Sequence, residues 1–183
     1  MSVNEIRIIG GMWRGRKLRF PDVEGLRPTP DRVRETLFNW LGQDFAGRRT
    51  LDPFAGSGAL SFEALSRGAE HAVAVDRRRE VVRGLADTAA RLGTTALEVH
   101  CVDALSFIAR ERRAFDVVFL DPPFDDTAWG ELLPAAAARL APGGALYVEA
   151  AFRVEAPPGL TIWRRDKAGQ VHYHLLRHVG SSD

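Results

Sequence analysis

The sequence predicts an α/β protein built on a doubly wound, mostly parallel sheet. Three observations carry that expectation. From about Arg49 onward, short β-rich runs alternate with helical stretches. Gly68, Gly93 and Gly143 follow three of those stretches, where a helix C-terminus favours glycine. Near the end of the chain, two apolar runs flank a polar, glycine-containing turn. Such alternation calls for parallel strands joined by right-handed crossovers, with helices on both faces. The expected architecture is therefore Rossmann-like, and ligands of such sheets sit at the carboxyl ends of the strands.

Strands are expected at residues 50–52, 71–76, 97–102, 115–120 and 145–149, and helices near 59–67, 78–92, 104–112 and 129–140. Residues 160–165 and 171–176, separated by Asp166-Lys167-Ala168-Gly169-Gln170, add an antiparallel C-terminal hairpin. At the head, residues 7–18 read as a small basic β-hairpin arm with glycine turns, and the chain divides into an arm, 1–28, and a main domain, 29–183. Thr29 is placed to N-cap a helix whose first position is Pro30. Val33, Leu37, Trp40 and Leu41 share one face of that helix, leaving Arg32, Arg34, Glu35 and Asn39 largely on others.

A chain of 183 residues, 45% hydrophobic, suits one well-buried domain with small appendages. A net charge of +1 excludes a polycation that coats nucleic acid indiscriminately, so any nucleic-acid contact must come from local patches. Cys101 is the single cysteine, which excludes an internal disulfide and any multi-cysteine metal site within one chain. The five histidines lack metal-ligand spacing, and no metal is expected; the alternation of His172 and His174 reads as one exposed face of a strand. Without an apolar leader or a span of about 20 apolar residues, the expectation is a soluble, cytoplasmic protein, by default a monomer.

The cofactor expectation begins with Leu51-Asp52-Pro53-Phe54-Ala55-Gly56-Ser57-Gly58-Ala59, which reads as strand, glycine loop and helix start. Asp76 ends the next strand 20 positions after Gly56, where a carboxylate can accept both hydroxyls of a ribose. A dinucleotide site would want a third glycine near position 61, but Ser61 stands there, and Asp52 is awkward for a pyrophosphate. S-adenosylmethionine carries an ammonium and a sulfonium, both favoured by a nearby carboxylate. Asp103 ends the third strand, placed to accept from an adenine amino group. Asp52, Phe54, Gly56, Ser57, Gly58, Asp76, Arg77, Asp103 and Ala104 form the candidate cofactor set.

Asp121-Pro122-Pro123-Phe124 ends the apolar run 115–120 with a carboxylate, a stiffened backbone and an aromatic ring. The prolines have fixed φ and no N–H, so the carbonyls of Asp121 and Pro122 lack neighbouring donors. Acceptors beside an aromatic face suit the amino group of a nucleobase, which makes Asp121, Pro122, Pro123 and Phe124 the candidate catalytic corner. Taken alone, the tetrapeptide is as readily a proline-rich strand exit.

The four strand-end motifs in order resemble the class I S-adenosylmethionine-dependent methyltransferases, and Asp-Pro-Pro-Phe resembles their amino-methylating branch. More narrowly, Arg7-Ile8-Ile9-Gly10-Gly11, Arg14-Gly15-Arg16, Arg27-Pro28-Thr29, residues 31–39 and residues 55–60 resemble the bacterial 16S ribosomal RNA guanine-N2 methyltransferase family acting on guanine 966. That family usually has an apolar residue at Pro53, glycine at Ser61, often glutamate at Asp76 and frequently tyrosine at Phe124. Ser61 is the departure expected to crowd helix packing. The resemblance implies S-adenosylmethionine as methyl donor, no metal, and 16S ribosomal RNA, in an assembled or partly assembled small subunit, as partner.

It also implies a clamp in which Phe124 stacks on an extruded guanine while Asp121 and the Pro122 carbonyl accept the two amino hydrogens. Five cations against Glu5 in the first twenty residues, with Trp13, mark the arm for RNA. The candidate RNA-binding set is Arg7, Trp13, Arg14, Arg16, Lys17, Arg19, Arg27, Arg32 and Arg34. Competing expectations are an amino methyltransferase for adenine N6 or another guanine in DNA or RNA, and a non-catalytic RNA-binding assembly factor. A nicotinamide dehydrogenase fits least, since no second domain remains to hold its substrate.

Overall fold

The computed structural model describes residues 3–124 and 127–181. Nine strands and five helices follow one another: β1 (Val3–Arg7), β2 (Lys17–Pro21), α1 (Asp31–Leu41), β3 (Arg49–Asp52), α2 (Ala59–Ser66), β4 (His71–Asp76), α3 (Arg79–Leu92), β5 (Leu97–Cys101), α4 (Ala104–Arg110), β6 (Phe115–Leu120), α5 (Trp129–Ala137), β7 (Leu140–Ala150), β8 (Leu160–Ala168) and β9 (Val171–His178).

Strands β3 to β9 form one sheet in the order β5-β4-β3-β6-β7-β9-β8. The first five of that order run parallel, and β9 lies antiparallel between β7 and β8. Successive connections leave β3 first toward β4 and β5, then cross to β6 and β7 on its other side. The switch point therefore falls between β3 and β6, and ligands of such sheets bind beyond the strand ends there. The runs 72–75 of β4 and 117–120 of β6 are apolar without a break because both faces of the sheet are covered. On one face, Val33, Leu37 and Phe38 of α1 pack with Phe62 and Leu65 of α2 and Leu85 of α3. On the other, Ile108 of α4 and Leu132 and Leu133 of α5 pack over Val118, Leu120 and Leu146.

The expected alternation and both antiparallel additions are present, with shifted boundaries. Strand β7 runs to 11 residues, against an expected 145–149, because its start pairs Leu140 with Phe115 before an irregularity in register. The C-terminal hairpin is tighter than expected. Ala168 pairs with Val171, so Asp166 and Lys167 belong to β8 and the turn is Gly169-Gln170. His174 is a correction: it is buried, and its ring accepts from the Val154 amide and faces the Val148 carbonyl. Burial pushes its pKa down, as expected for a ring that packs rather than titrates.

The head differs more. Its strands flank residues 8–16 instead of lying within them, since β1 pairs with β2 from Val3↔Pro21 to Arg7↔Lys17. The intervening loop is docked, not protruding. Glu63 of α2, fully buried, accepts from the Ile9 and Gly10 amides at 3.0 and 2.8 Å. The Met12 amide donates to the Ser66 carbonyl and the Trp13 amide to the Ser66 hydroxyl. Gly11, at φ +77°, lies so close to the end of α2 that a Cβ there would sit 1.9 Å from the Ser66 carbonyl oxygen. Only glycine fits both demands.

Candidate active site

Asp52, Asp76, Asp103 and Asp121 all stand at the carboxyl ends of their strands, as the sequence implies. The loop between β3 and α2 turns on Gly58, whose left-handed backbone (φ +78°) begins α2; a Cβ there would meet Leu85 at 2.5 Å and the Phe62 ring at 2.7 Å. Asp76 holds this loop from the side, its Oδ2 accepting from the Gly56 amide at 3.2 Å. The same carboxylate accepts from the Arg78 amide and guanidinium. Arg78 thus shares the group expected to meet a ribose, while Arg77 is exposed beside it. Asp103 caps α4 by accepting from the Ser106 amide at 3.0 Å, and its exposed position leaves further acceptor capacity. Ala104 starts the helix and is buried.

Asp52 is 2% exposed. Its Oδ2 accepts from the Ser61 hydroxyl at 3.1 Å, and its Oδ1 is buried without a hydrogen-bond partner. Burial, partly offset by Ser61, pushes its pKa up to about 7. The expectation that Ser61 crowds helix packing is corrected here. Its side chain is fully buried and serves the carboxylate that a glycine would leave bare.

Across the switch point, Asp121 follows β6 and faces Glu149 near the end of the neighbouring β7, where Leu120 pairs with Val148. Glu149 is 5% exposed. Its Oε1 accepts from the Tyr147 hydroxyl at 2.6 Å and lies 3.2 Å from the Thr29 hydroxyl, which is 3.5 Å from Asp121 Oδ2. Burial foremost, and the adjacent Glu149, hold the Asp121 carboxyl well above its usual range; burial also raises Glu149. Among the described residues, no arginine, lysine or histidine forms an ion pair with Asp52, Asp121 or Glu149.

Sequence reasoning missed Glu149, Tyr147 and this role of Thr29. A glutamate inside the apolar strand Ala145-Leu146-Tyr147-Val148-Glu149-Ala150 was the available signal. The helix that Thr29 was expected to cap instead starts after Pro30 without a side-chain cap, and Thr29 is buried against the two carboxyls. Beyond Asp121, Pro122 is buried and Phe124 is 47% exposed. Thr127 donates to the Pro123 carbonyl, which removes that oxygen and leaves the Asp121 and Pro122 positions as the acceptors of the corner.

The RNA set divides. Arg7, Arg14, Arg16, Lys17, Arg19, Arg27 and Arg32 are exposed, with Trp13 half-buried among them. Lys17 and Arg19 both pair with Glu5, at 2.9 and 3.0 Å, so much of the arm's excess charge lies on Arg7, Arg14 and Arg16. Arg34 is a correction, because its side chain is fully buried. It donates to the Thr29 and Arg7 carbonyls and pairs with Asp31 and Glu63, so it holds the arm to the main domain and presents nothing to a ligand.

A cavity of about 430 Å³ opens at the opposite, amino-terminal ends of the strands, lined by Arg49, Glu70, His71, Glu98, Arg113 and Phe115. Its charges are mutually satisfied, with Glu98 facing His71, His100 and both Arg113 nitrogens. The uncompensated groups lie at the carboxyl ends, which is where chemistry is expected.

A family model described as "Conserved hypothetical protein 95" matches residues 6–177. The chain is 43% identical to the Escherichia coli K12 protein named "Ribosomal RNA small subunit methyltransferase D", covering 98% of this chain and 94% of that one. A Haemophilus influenzae protein of the same name is 37% identical over 95% of the chain and 94% of its own length. Among solved structures, a putative methyltransferase from E. coli superposes with a TM-score of 0.86 at 42% identity, covering 96% of this chain and 98% of that one. At 21% identity and a TM-score of 0.70, half of a Thermus thermophilus 16S rRNA N2 G1207 methyltransferase, solved with AdoMet and guanosine, shares the fold over 97% of this chain.

Proposed function

Because the chain belongs to the family of the ribosomal RNA small subunit methyltransferases D, we propose that it methylates the exocyclic N2 of one guanine in 16S ribosomal RNA. The observation that carries this reading is the acidic cluster at the switch point. The buried carboxyls of Asp52 and Glu149 and the half-buried carboxyl of Asp121 form it without a cationic partner among the described residues, beside the exposed ring of Phe124.

The chain's residues fit S-adenosylmethionine. Asp52 Oδ1 is a buried acceptor with nothing to accept from, and a cationic ligand would answer both its missing hydrogen bond and its missing countercharge. Asp52, the loop Phe54 to Gly58, Asp76 with Arg77, and Asp103 with Ala104 would hold the cofactor. When bound, it supplies an electrophilic methyl group.

Guanine N2 is a poor nucleophile because its lone pair is delocalised into the ring. Asp121 and the Pro122 carbonyl accept its two hydrogens, drawing the nitrogen toward tetrahedral geometry and aiming its lone pair. Phe124 stacks on the base and compensates part of the few kcal/mol that extrusion costs. Arg7, Arg14, Arg16 and Trp13, with Lys17, Arg19, Arg27 and Arg32, contact the RNA around the base, positioning without reading sequence. So small a contact surface favours a target shaped by assembled ribosomal proteins.

Asp121→Ala is expected to lower single-turnover methylation of small-subunit RNA by about 100- to 1,000-fold, with S-adenosylmethionine affinity within about threefold of wild type. Full methylation by that variant would overturn the assignment.

A further inference from the structure

Two carboxyls that converge on one hydroxyl cannot both be satisfied by it. Thr29 Oγ1 carries a single proton and lies between Asp121 Oδ2 and Glu149 Oε1. The Tyr147 hydroxyl already donates to Glu149 Oε1. The other titratable groups around the pair are Asp52 from β3, beside Asp121, and Tyr147, which lies beside Glu149 and has Tyr173 from β9 behind it, and none brings positive charge. Like charges so placed in a buried site are relieved by holding a proton between them. By reaching the same hydroxyl, Asp121 and Glu149 come close enough to hold that proton between them.

Resting on the reading of Asp121 as the acceptor clamp, we infer that Glu149 is a positioning residue for the methyl acceptor, orienting Asp121 by a shared proton and receiving that proton when the amine gives up its own. In the resting site the proton lies on the Asp121 oxygen that faces Glu149. The outer Asp121 oxygen is then free to accept from the amino group. When the methylated nitrogen is deprotonated, its N–H bond breaks and the electron pair stays on nitrogen. An O–H bond forms at the outer oxygen of Asp121 as the inner proton passes to Glu149. The pair goes from one proton to two, and water later removes the extra one. The shared proton leaves a single charge on the pair, so the outer oxygen of Asp121 stays an acceptor, and burial makes it a stronger base than an exposed carboxylate.

The arrangement also explains the place of Thr29 and Tyr147. Their hydroxyls hold Glu149 by its Oε1, so that the glutamate, and through it Asp121, keeps one orientation. This support comes from the segment before α1 and from the middle of β7, far from the corner in sequence.

The test combines carbon-13 carboxyl titration of Asp121 with single-turnover methylation across pH, in wild type, Glu149→Gln and Glu149→Asp. In Glu149→Gln, which keeps size and hydrogen bonding, the Asp121 titration midpoint falls by about one unit or more. The methylation rate drops by about 10- to 100-fold, and the alkaline limb of its pH profile, which follows loss of the shared proton in wild type, disappears. Glu149→Asp restores the limb in part, and S-adenosylmethionine affinity stays within about threefold in both variants. An Asp121 titration unchanged in Glu149→Gln overturns the inference, whatever the protein methylates. A lowered midpoint in a protein that methylates no guanine supports the shared proton and removes the functional reading instead. A slower rate with the alkaline limb retained marks Glu149 as a packing residue only, which also overturns it.

Discussion

Two buried charge clusters lie in this molecule, and they are built on opposite rules. At the base of the arm, Arg34, Glu63 and Arg67 are nearly or fully buried and complete: Glu63 takes both guanidinium groups and two backbone amides, and Arg34 finds two carbonyls besides. At the switch point, Asp52 and Glu149 are buried, Asp121 beside them is half-buried, and all three share one sign; among the described residues hydroxyls are their only side-chain donors besides one another. The first cluster cancels its own field and fastens two parts of the chain. The second keeps its field unspent for something that arrives from outside. Burial of charge is thus uninformative by itself, and the balance of signs separates a fastener from a site.

The largest effect should come from breaking the balanced cluster. Glu63→Ala leaves two guanidinium groups and two amides without their acceptor and is expected to destabilise the protein by about 3–5 kcal/mol, read from chemical unfolding. A destabilisation under about 1 kcal/mol would show the cluster to be ornamental.

The unbalanced cluster should respond in the opposite sense. The pKa of Asp52 is raised to about 7 from an ordinary 3.8, so the folded state retains a proton that the unfolded chain has released. Stability then falls as pH rises from about 4 through 7 and levels off above. Asp52→Asn should remove up to about 1.4 kcal/mol per pH unit of that fall in the cofactor-free protein, while weakening S-adenosylmethionine binding about tenfold. An unchanged pH dependence would return Asp52 to the role of a packing residue.

The smallest effect concerns the arm's exposed charges. Replacing Arg14 and Arg16 with alanine should leave folding and cofactor affinity unaltered, and should flatten the salt dependence of RNA binding by about one unit of slope for each phosphate these side chains neutralise. A failure to bind cofactor would mean that these residues serve the fold, as Arg34 does.

Much of this was legible beforehand. Periodicity gave the sheet, since the runs 72–75 and 117–120 are apolar without a break and each is followed by an aspartate. Asp52, Asp76, Asp103 and Asp121 stand where their strands stop, because strand ends are local features. What escaped was produced by distant pairing. Arg34 sits on a helix face read as open, and only the docking of residues 8–16 onto α2 buries it against Glu63. Thr29 reads as a cap in any sequence window, yet the path of the chain into α1 carries it to partners 92 and 120 residues away. Ser61 looked like a flaw in a glycine pattern until the carboxylate it serves was in place.

In the proposed function, the acidic cluster at the switch point and Phe124 together grip the amino group of one guanine in ribosomal RNA. Mass-spectrometric mapping of modified nucleotides in 16S ribosomal RNA, from cells with and without this gene, tests it most directly. The account predicts that a single N2-methylguanosine disappears without the gene and returns with the wild-type chain, while the Asp121→Ala chain fails to restore it. An unchanged map would contradict it.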